Sequence, residues 1–227
     1  MSCRPSKGDH TRPSPRLPPG SYHTRHDGVC TEEGALVTTI AVVTAGLSQP
    51  SSTRLLADQL AAATREALGD AEITVIELRD IAVDVTNNML TGFPSPKLSA
   101  AISAVTSADA LIAVTPVFTA SYSGLFKSFF DVLDKESLVG KPVLIAATGG
   151  SERHSLVLDY QLRPMFAYLR AEVTPTGVYA ASSDFGSPSL HDRVRQAGAE
   201  LADRALGLRS VAKPADTFVP FEQLLAR

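Results

Sequence analysis

The chain has 227 residues, 44% of them hydrophobic and 20% charged, with a formal net charge of −3 and an isoelectric point near 5.9. That is enough chain to bury one sizeable core, and it carries no basic field that would favour nucleic acid or an anionic membrane surface as a partner. Its two cysteines, Cys3 and Cys30, both precede residue 35, which leaves the rest without a disulfide framework or a thiolate metal site. No apolar run approaches the roughly 18 to 20 residues needed to span a bilayer. The N-terminus lacks the hydrophobic region of a signal peptide, so a cytoplasmic protein without a membrane segment is expected.

Residues 1–34 hold five of the fifteen prolines, three of the five histidines (His10, His23 and His26) and almost no large aliphatic side chains. Such a segment cannot bury enough apolar surface to offset its ordering entropy and reads as a disordered tail. The irregular histidine spacing does not make a metal tract. One domain is expected over residues 35–210, followed by a C-terminal extension, 211–227.

From residue 36 the texture alternates. V-T-T-I-A-V-V (37–43) predicts a first strand ending at Thr44, and residues 54–68, with Leu56, Leu60 and Leu68 at helical spacing, predict a helix. Strands follow at 73–78, 110–115, 142–148 and near 173–180, with helices at 98–105, 123–133, near 156–169 and near 189–206. Parallel neighbours need long crossovers, usually helical. Five strands alternating with helices therefore predict an α/β fold with a parallel sheet covered on both faces, and ligands in such sheets sit beyond the carboxyl ends of the strands.

Three loops leave that edge. The first supplies Ser48, Ser51, Ser52 and Thr53 just before a helix whose first amides lack internal partners and carry partial positive charge, an arrangement that suits a phosphate without a lysine. Ser52 or Thr53 acting as a simple helix cap would account for one of those hydroxyls. Neither G-x-G-x-x-G nor G-x-x-x-x-G-K-[ST] is present, whereas a terminal phosphate monoester, as in FMN, suits a hydroxyl-rich first loop in a five-stranded sheet. The second loop, T-P-V-F-T-A-S-Y-S-G-L-F-K (115–127), has Pro116 to stop its strand and offers Phe118 and Tyr122 as flat apolar surface, with main-chain amides around Val117 to Thr119 for the polar edge of a planar ring. Phe118 and Tyr122 are equally at home as packing residues, and Lys127 reads as a surface helix residue. The third loop, T-G-G-S-E-R-H (148–154), brings Thr148, Gly149, Gly150 and Ser151 for a close backbone approach, although a plain tight turn uses the same residues. His154 follows as a candidate contact or acid–base group, and Asp159 reads as the partner of a nearby basic group.

V-T-P-V-F-T-A-S-Y-S-G-L-F-K (114–127), G-K-P-V-L-I-A-A-T-G-G (140–150) and L-D-Y-Q-L-R-P (158–164) resemble the NADPH-dependent FMN reductase family of flavodoxin-like proteins. Within it, the chain is most similar to the reductases of alkanesulfonate monooxygenase systems and to those paired with luciferase-like monooxygenases, which the C-terminal F-V-P-F-E-Q-L-L (218–225) also resembles. The resemblance implies a flavodoxin-like doubly wound sheet. It places the phosphate on Ser48, Ser51, Ser52 and Thr53, and the isoalloxazine on Pro116, Val117, Phe118 and Thr119 and on Thr148, Gly149, Gly150 and Ser151. Leu47, Ser48, Thr53 and Ser123 depart from the family pattern, which commonly has serine, arginine, asparagine and proline there. A homodimer or homotetramer through the helix from Tyr122 to Leu133 is also implied.

These residues predict an NAD(P)H:FMN oxidoreductase that takes NADPH or NADH as hydride donor and supplies reduced FMN to a partner monooxygenase. Hydride transfer asks for stacking and electrostatic steadying rather than a side-chain acid or base, so no catalytic residue and no metal are expected, with Arg54 and Arg153 as candidate holders of nucleotide phosphate. Two other readings use the same loops. One is a reductase of quinones, azo dyes or metal oxyanions that retains its FMN. The other is an electron carrier, disfavoured because the 16 Lys/Arg against 20 Asp/Glu beyond the tail are far from the strong acidity of such carriers.

Overall fold

The computed structural model describes residues 37–209; the proline-rich tail, 1–34, and the stretch 211–227 lie outside the described residues. Strands β1 (Thr38–Thr44), β2 (Ala71–Glu77), β3 (Ala110–Phe118), β4 (Ser121–Tyr122), β5 (Pro142–Gly149), β6 (Glu172–Val173) and β7 (Val178–Ala181) are interleaved with helices α1 (Ser52–Leu68), α2 (Ala82–Thr91), α3 (Pro96–Ser107), α4 (Gly124–Asp131), α5 (Arg163–Tyr168) and α6 (Pro188–Arg209). The sheet runs β2-β1-β3-β5-β6, all parallel, with β7 also on β5 and β4 antiparallel to β3. This is the flavodoxin-like doubly wound order, whose switch point lies between β1 and β3.

Alternate residues of the buried strands feed two cores. Ala41 and Val43 on β1, Leu111 and Ala113 on β3 and Ile145 and Ala147 on β5 pack under α2 to α5, where Phe126, Phe130 and Phe166 meet edge to face or tilted at 4.8 to 6.4 Å between ring centroids. Ile40, Val42, Ile112, Val114, Leu144 and Ala146 pack under α1 and α6. These two helices cross closely because Gly198 sits against Ala63, where a Cβ would come within 2.9 Å of that residue.

Four local outcomes differ from the sequence reading. Helix α2 was not anticipated: its valines, threonines and asparagines are weak helix formers, and Val85 is its one buried residue. The expected strand near 173–180 is two short pieces, because Pro175 has no amide to give and Gly177 presses against Ile145, where an added Cβ would sit 3.3 Å from its side chain. The stretch expected to be helical near 156–169 begins as a π-helical turn, Leu158–Leu162, before α5.

Pro116 does not stop its strand. Val114 accepts a bond from Ala45 at 3.0 Å on the β1 side. Two residues later the nitrogen of Pro116 faces that same side, but pairing with β1 has ended at Val114, so the missing N–H costs no ladder bond. Pro116 stays paired with Thr148 of β5, and the chain runs on to Phe118 before folding back as a hairpin.

Candidate active site

The carboxyl ends of β1, β3 and β5 open into one cleft of about 320 Å³. It is lined by Ser48, Ser51, Ser52 and Thr53 from the first loop, Pro116, Val117 and Phe118 from the second, and Thr148, Gly149 and Gly150 from the third, together with Gly46, Leu47 and Ser182. None of these side chains is charged. Among the described residues, the polar groups an anion there would meet are amides and hydroxyls.

In the first loop, Ser51 is the helix cap. Its hydroxyl accepts from the Arg54 amide at 3.2 Å, leaving the amides of Ser52 and Thr53 as first-turn donors without intrahelical partners. The capping role expected of Ser52 or Thr53 therefore falls to Ser51, because the helix begins at Ser52. Gly46 is required beneath it: a Cβ there would lie 2.1 Å from the Ser51 hydroxyl. The Ser48 hydroxyl donates to the Pro50 carbonyl at 3.0 Å across a cis Gln49–Pro50 bond, and Arg79 Nη1 holds the Ser48 carbonyl at 3.0 Å. Arg79 is itself paired with Glu77 at 2.5 Å. Arg54, a candidate nucleotide contact, is tied to Asp58 at 2.7 Å and to Glu77 at 2.5 Å; its pKa is raised first by the Asp58 hydrogen bond, against the cost of burial.

Thr53 does not present a free hydroxyl. It is 2% exposed and bonds the hydroxyl of Thr148, itself 3% exposed, at 2.8 Å. This bond joins the start of α1 to the end of β5 across the floor of the cleft. Near it, the Thr44 hydroxyl at the end of β1 is buried without a hydrogen-bond partner.

The second loop is a tight hairpin. Val117 pairs with Tyr122 and Phe118 with Ser121, and Thr119 and Ala120 turn the corner with φ of 49° and 63°. Two-residue hairpins demand positive φ, which glycine or asparagine usually supplies; here the close pairing on either side holds two ordinary residues in that strained region. Thr115 fastens the hairpin base, its hydroxyl accepting from the Ser123 amide at 3.0 Å and donating to the Pro116 carbonyl at 2.9 Å. Phe118 is left 46% exposed at the cleft wall. Ser123, the departure from the family's proline, caps α4 by accepting from the Phe126 amide at 3.2 Å.

The third loop is braced from behind. Tyr179 on β7 is 4% exposed and donates to the Ser151 carbonyl at 2.6 Å, and the Ser182 amide donates to the Gly149 carbonyl at 3.1 Å. Burial, with a smaller contribution from Asp184, pushes the Tyr179 phenol above its ordinary pKa and keeps it a hydrogen-bond donor.

Four of the expected contacts lie outside the cleft lining. Thr119 is at the hairpin tip, because the strand continues past Pro116. Ser151 turns its carbonyl to Tyr179, and His154 is half-buried in the short 3₁₀ turn Glu152–His154. Tyr122 lines a separate groove of about 350 Å³ with Phe130, Tyr160, Met165 and Tyr168. Asp159 pairs with Arg163 at 3.2 Å and Lys127 with Asp131 at 2.5 Å, the surface roles read for them. The lining residues not anticipated are Gly46, Leu47 and Ser182. Gly46 could have been found from the need for a glycine where a strand turns into a capped helix.

The family model for NADPH-dependent FMN reductases matches residues 38–186. The chain belongs to that family. As an FMN reductase of this kind it is an oxidoreductase, and its parallel sheet with helices on both faces agrees with the family assignment. It is 41% identical over 176 residues to the FMN reductase (NADPH) of Pseudomonas aeruginosa, a match covering 75% of this chain and 94% of that one. It is 40% identical over 168 residues to the NADH-dependent FMN reductase SfnF of Pseudomonas fluorescens, covering 72% and 89%. The crystal structure of an oxidoreductase from Corynebacterium diphtheriae superposes with a TM-score of 0.74 at 47% identity, covering 75% of this chain and 98% of that one. Among the described residues of this FMN reductase, no helix is long and apolar enough to cross a membrane, and no cluster of ligating side chains could hold a metal.

Proposed function

We propose that the chain catalyses hydride transfer from NADPH or NADH to FMN in the cleft at the ends of β1, β3 and β5, and that the reduced FMN leaves for a partner monooxygenase. FMN supplies a planar ring that accepts the hydride; the protein supplies the surfaces that position it. The single observation that carries this reading is a cleft that brings together helix-terminal amides, an exposed aromatic ring and a glycine-rich backbone loop.

In this reading the unpartnered amides of Ser52 and Thr53, with the Ser52 hydroxyl, hold the phosphate, and Ser48 shapes the loop by donating to the Pro50 carbonyl. Phe118, Val117 and Pro116 face the ring, and the backbone of Thr148 to Gly150 meets its edge. Thr53 contributes its amide and uses its hydroxyl to fix Thr148. Ser51 acts through the cap, Thr119, Ser151 and His154 act at the margin of the cleft, and Tyr122 acts in the separate groove beside α4. Among the described residues none that lines the cleft is charged, which favours release over retention. The protein works in the cytoplasm as a homodimer or homotetramer, with the tyrosine-rich groove beside α4 as part of the contact; there Tyr160 and Tyr168 are more than 70% exposed in the single chain.

The test is oxidation of NADPH and of NADH by flavin-stripped protein with FMN as a varied substrate. Saturable oxidation that depends on FMN is expected, with reduced FMN appearing in free solution. Absence of oxidation alongside tight FMN binding would overturn the reading in favour of a carrier.

A further inference from the structure

Tyr179 lies outside the cleft lining, yet it governs the backbone of the wall that the glycine loop builds. Its ring is packed in the core beneath α2 to α5, so the phenol oxygen has little freedom. That oxygen takes the Ser151 carbonyl at 2.6 Å. It also fills the space beside Gly149, where an added Cβ would lie 2.1 Å from it but 3.2 Å from the ring carbon that bears it. The Ser182 amide meanwhile draws the Gly149 carbonyl toward β7. In a trans peptide the N–H points opposite to the carbonyl, so this bond turns the Gly150 amide toward β3 and the space between the second and third loops. The Gly149 carbonyl is thus held on the side away from β3, and the Ser151 carbonyl against the Tyr179 phenol.

We propose that Tyr179 is a positioning residue for flavin: its hydroxyl fixes the Gly149–Ser151 backbone in the conformation that receives the ring edge. The proposal rests on the FMN reductase reading of the cleft and deepens it. No residue of the loop needs a functional side chain, which fits its composition of glycine and serine. The loop instead needs a rigid partner behind it and a glycine where that partner comes close.

The test is Tyr179→Phe, which removes one oxygen and keeps the ring in the core, assayed by FMN-dependent NADPH and NADH oxidation and by quenching of FMN fluorescence. The expected result is a five- to tenfold rise in KM for FMN and in the FMN dissociation constant, about what one hydrogen bond is worth, with kcat within twofold of the parent. Gly149→Ala should raise KM more than tenfold in the parent and markedly less in a Tyr179→Phe background, because that background lacks the oxygen the new methyl strikes.

KM and dissociation constant within twofold of the parent in folded Tyr179→Phe would overturn the proposal, as would a fall in kcat at constant KM. If Tyr179→Phe fails to accumulate folded, Gly149→Ala alone decides: an unchanged FMN dissociation constant overturns the proposal, and a large rise supports it. A parent protein that shows no FMN-dependent oxidation sinks the proposed function itself, an outcome distinct from a functional parent beside an indifferent Tyr179→Phe.

Discussion

Substituting Gly46 by alanine should damage this protein through a neighbour five residues away. The added methyl would sit 2.1 Å from the Ser51 hydroxyl and 3.2 Å from the β-carbons of Ser51 and Thr53. The hydroxyl has somewhere to go only by leaving the cap it makes with the Arg54 amide. Losing a serine cap costs about 1 kcal/mol, and forcing a methyl into packed surroundings adds roughly 1 to 2 more, for a total of about 2 to 3 kcal/mol. Ser51→Ala loses the cap alone, about 1 kcal/mol. In a domain of this size each kcal/mol moves the melting temperature by about 2 to 4 °C, so calorimetry should show a fall of roughly 5 to 10 °C for Gly46→Ala and about 2 to 4 °C for Ser51→Ala. The double variant is the sharper test. Once the hydroxyl is gone the worst collision is gone with it, so the two losses should fall short of their sum by about 1 kcal/mol. Both single variants should also raise KM for FMN, since the amides of Ser52 and Thr53 are aimed by the same turn. Additive losses, or a Gly46→Ala protein that melts with the parent, would refute the reasoning.

Three further outcomes follow from the same geometry. Thr53→Val strands the buried Thr148 hydroxyl and should cost about 1 to 3 kcal/mol in urea unfolding, while Thr53→Val with Thr148→Val should cost less than the sum of the two single variants. Because no charged side chain among the described residues lines the cleft, KM for FMN should vary less than about threefold between 0.05 and 0.5 M salt, since screening acts on charges; a steep rise in KM would reveal a cation at the phosphate. Burial opposes ionisation of Glu200, but the Thr176 hydroxyl and amide, at 2.7 and 2.9 Å, outweigh it and hold the carboxyl below its ordinary pKa. A folded pKa below the unfolded value gives stability that is complete above the unfolded value and lost as pH falls through the folded one. The stability gap between the parent and Glu200→Gln should therefore be full at pH 7 and close below about pH 4; a gap independent of pH would contradict this assignment.

The parts of the molecule that could be read from the sequence are those in which one residue type has one common use. Buried strands announced themselves as apolar runs, and α1 as leucines at helical spacing, because a parallel sheet between two helical layers has no polar face to confuse the pattern. What stayed hidden depended on neighbours distant in the chain. Proline usually ends a strand, and the survival of Pro116 within β3 follows from where β1 pairing stops, which no local pattern records. Helix α2 is built from weak helix formers and held by its surroundings. The candidate site divides in the same way. Hydroxyls and glycines beside strand ends were visible as types, so the first and third loops were read from their own residues. Their division of labour was not visible: Ser51 caps, Thr53 turns inward to Thr148 across 95 residues of sequence, and Tyr179 braces a loop 28 residues before it. A cleft that works through backbone amides is specified largely by the residues that hold the backbone still, whether they line it, as Gly46 and Ser182 do, or stand behind it, as Tyr179 does. Chemically equipped side chains therefore point to this edge of the sheet but not to Gly46, Ser182 or Tyr179.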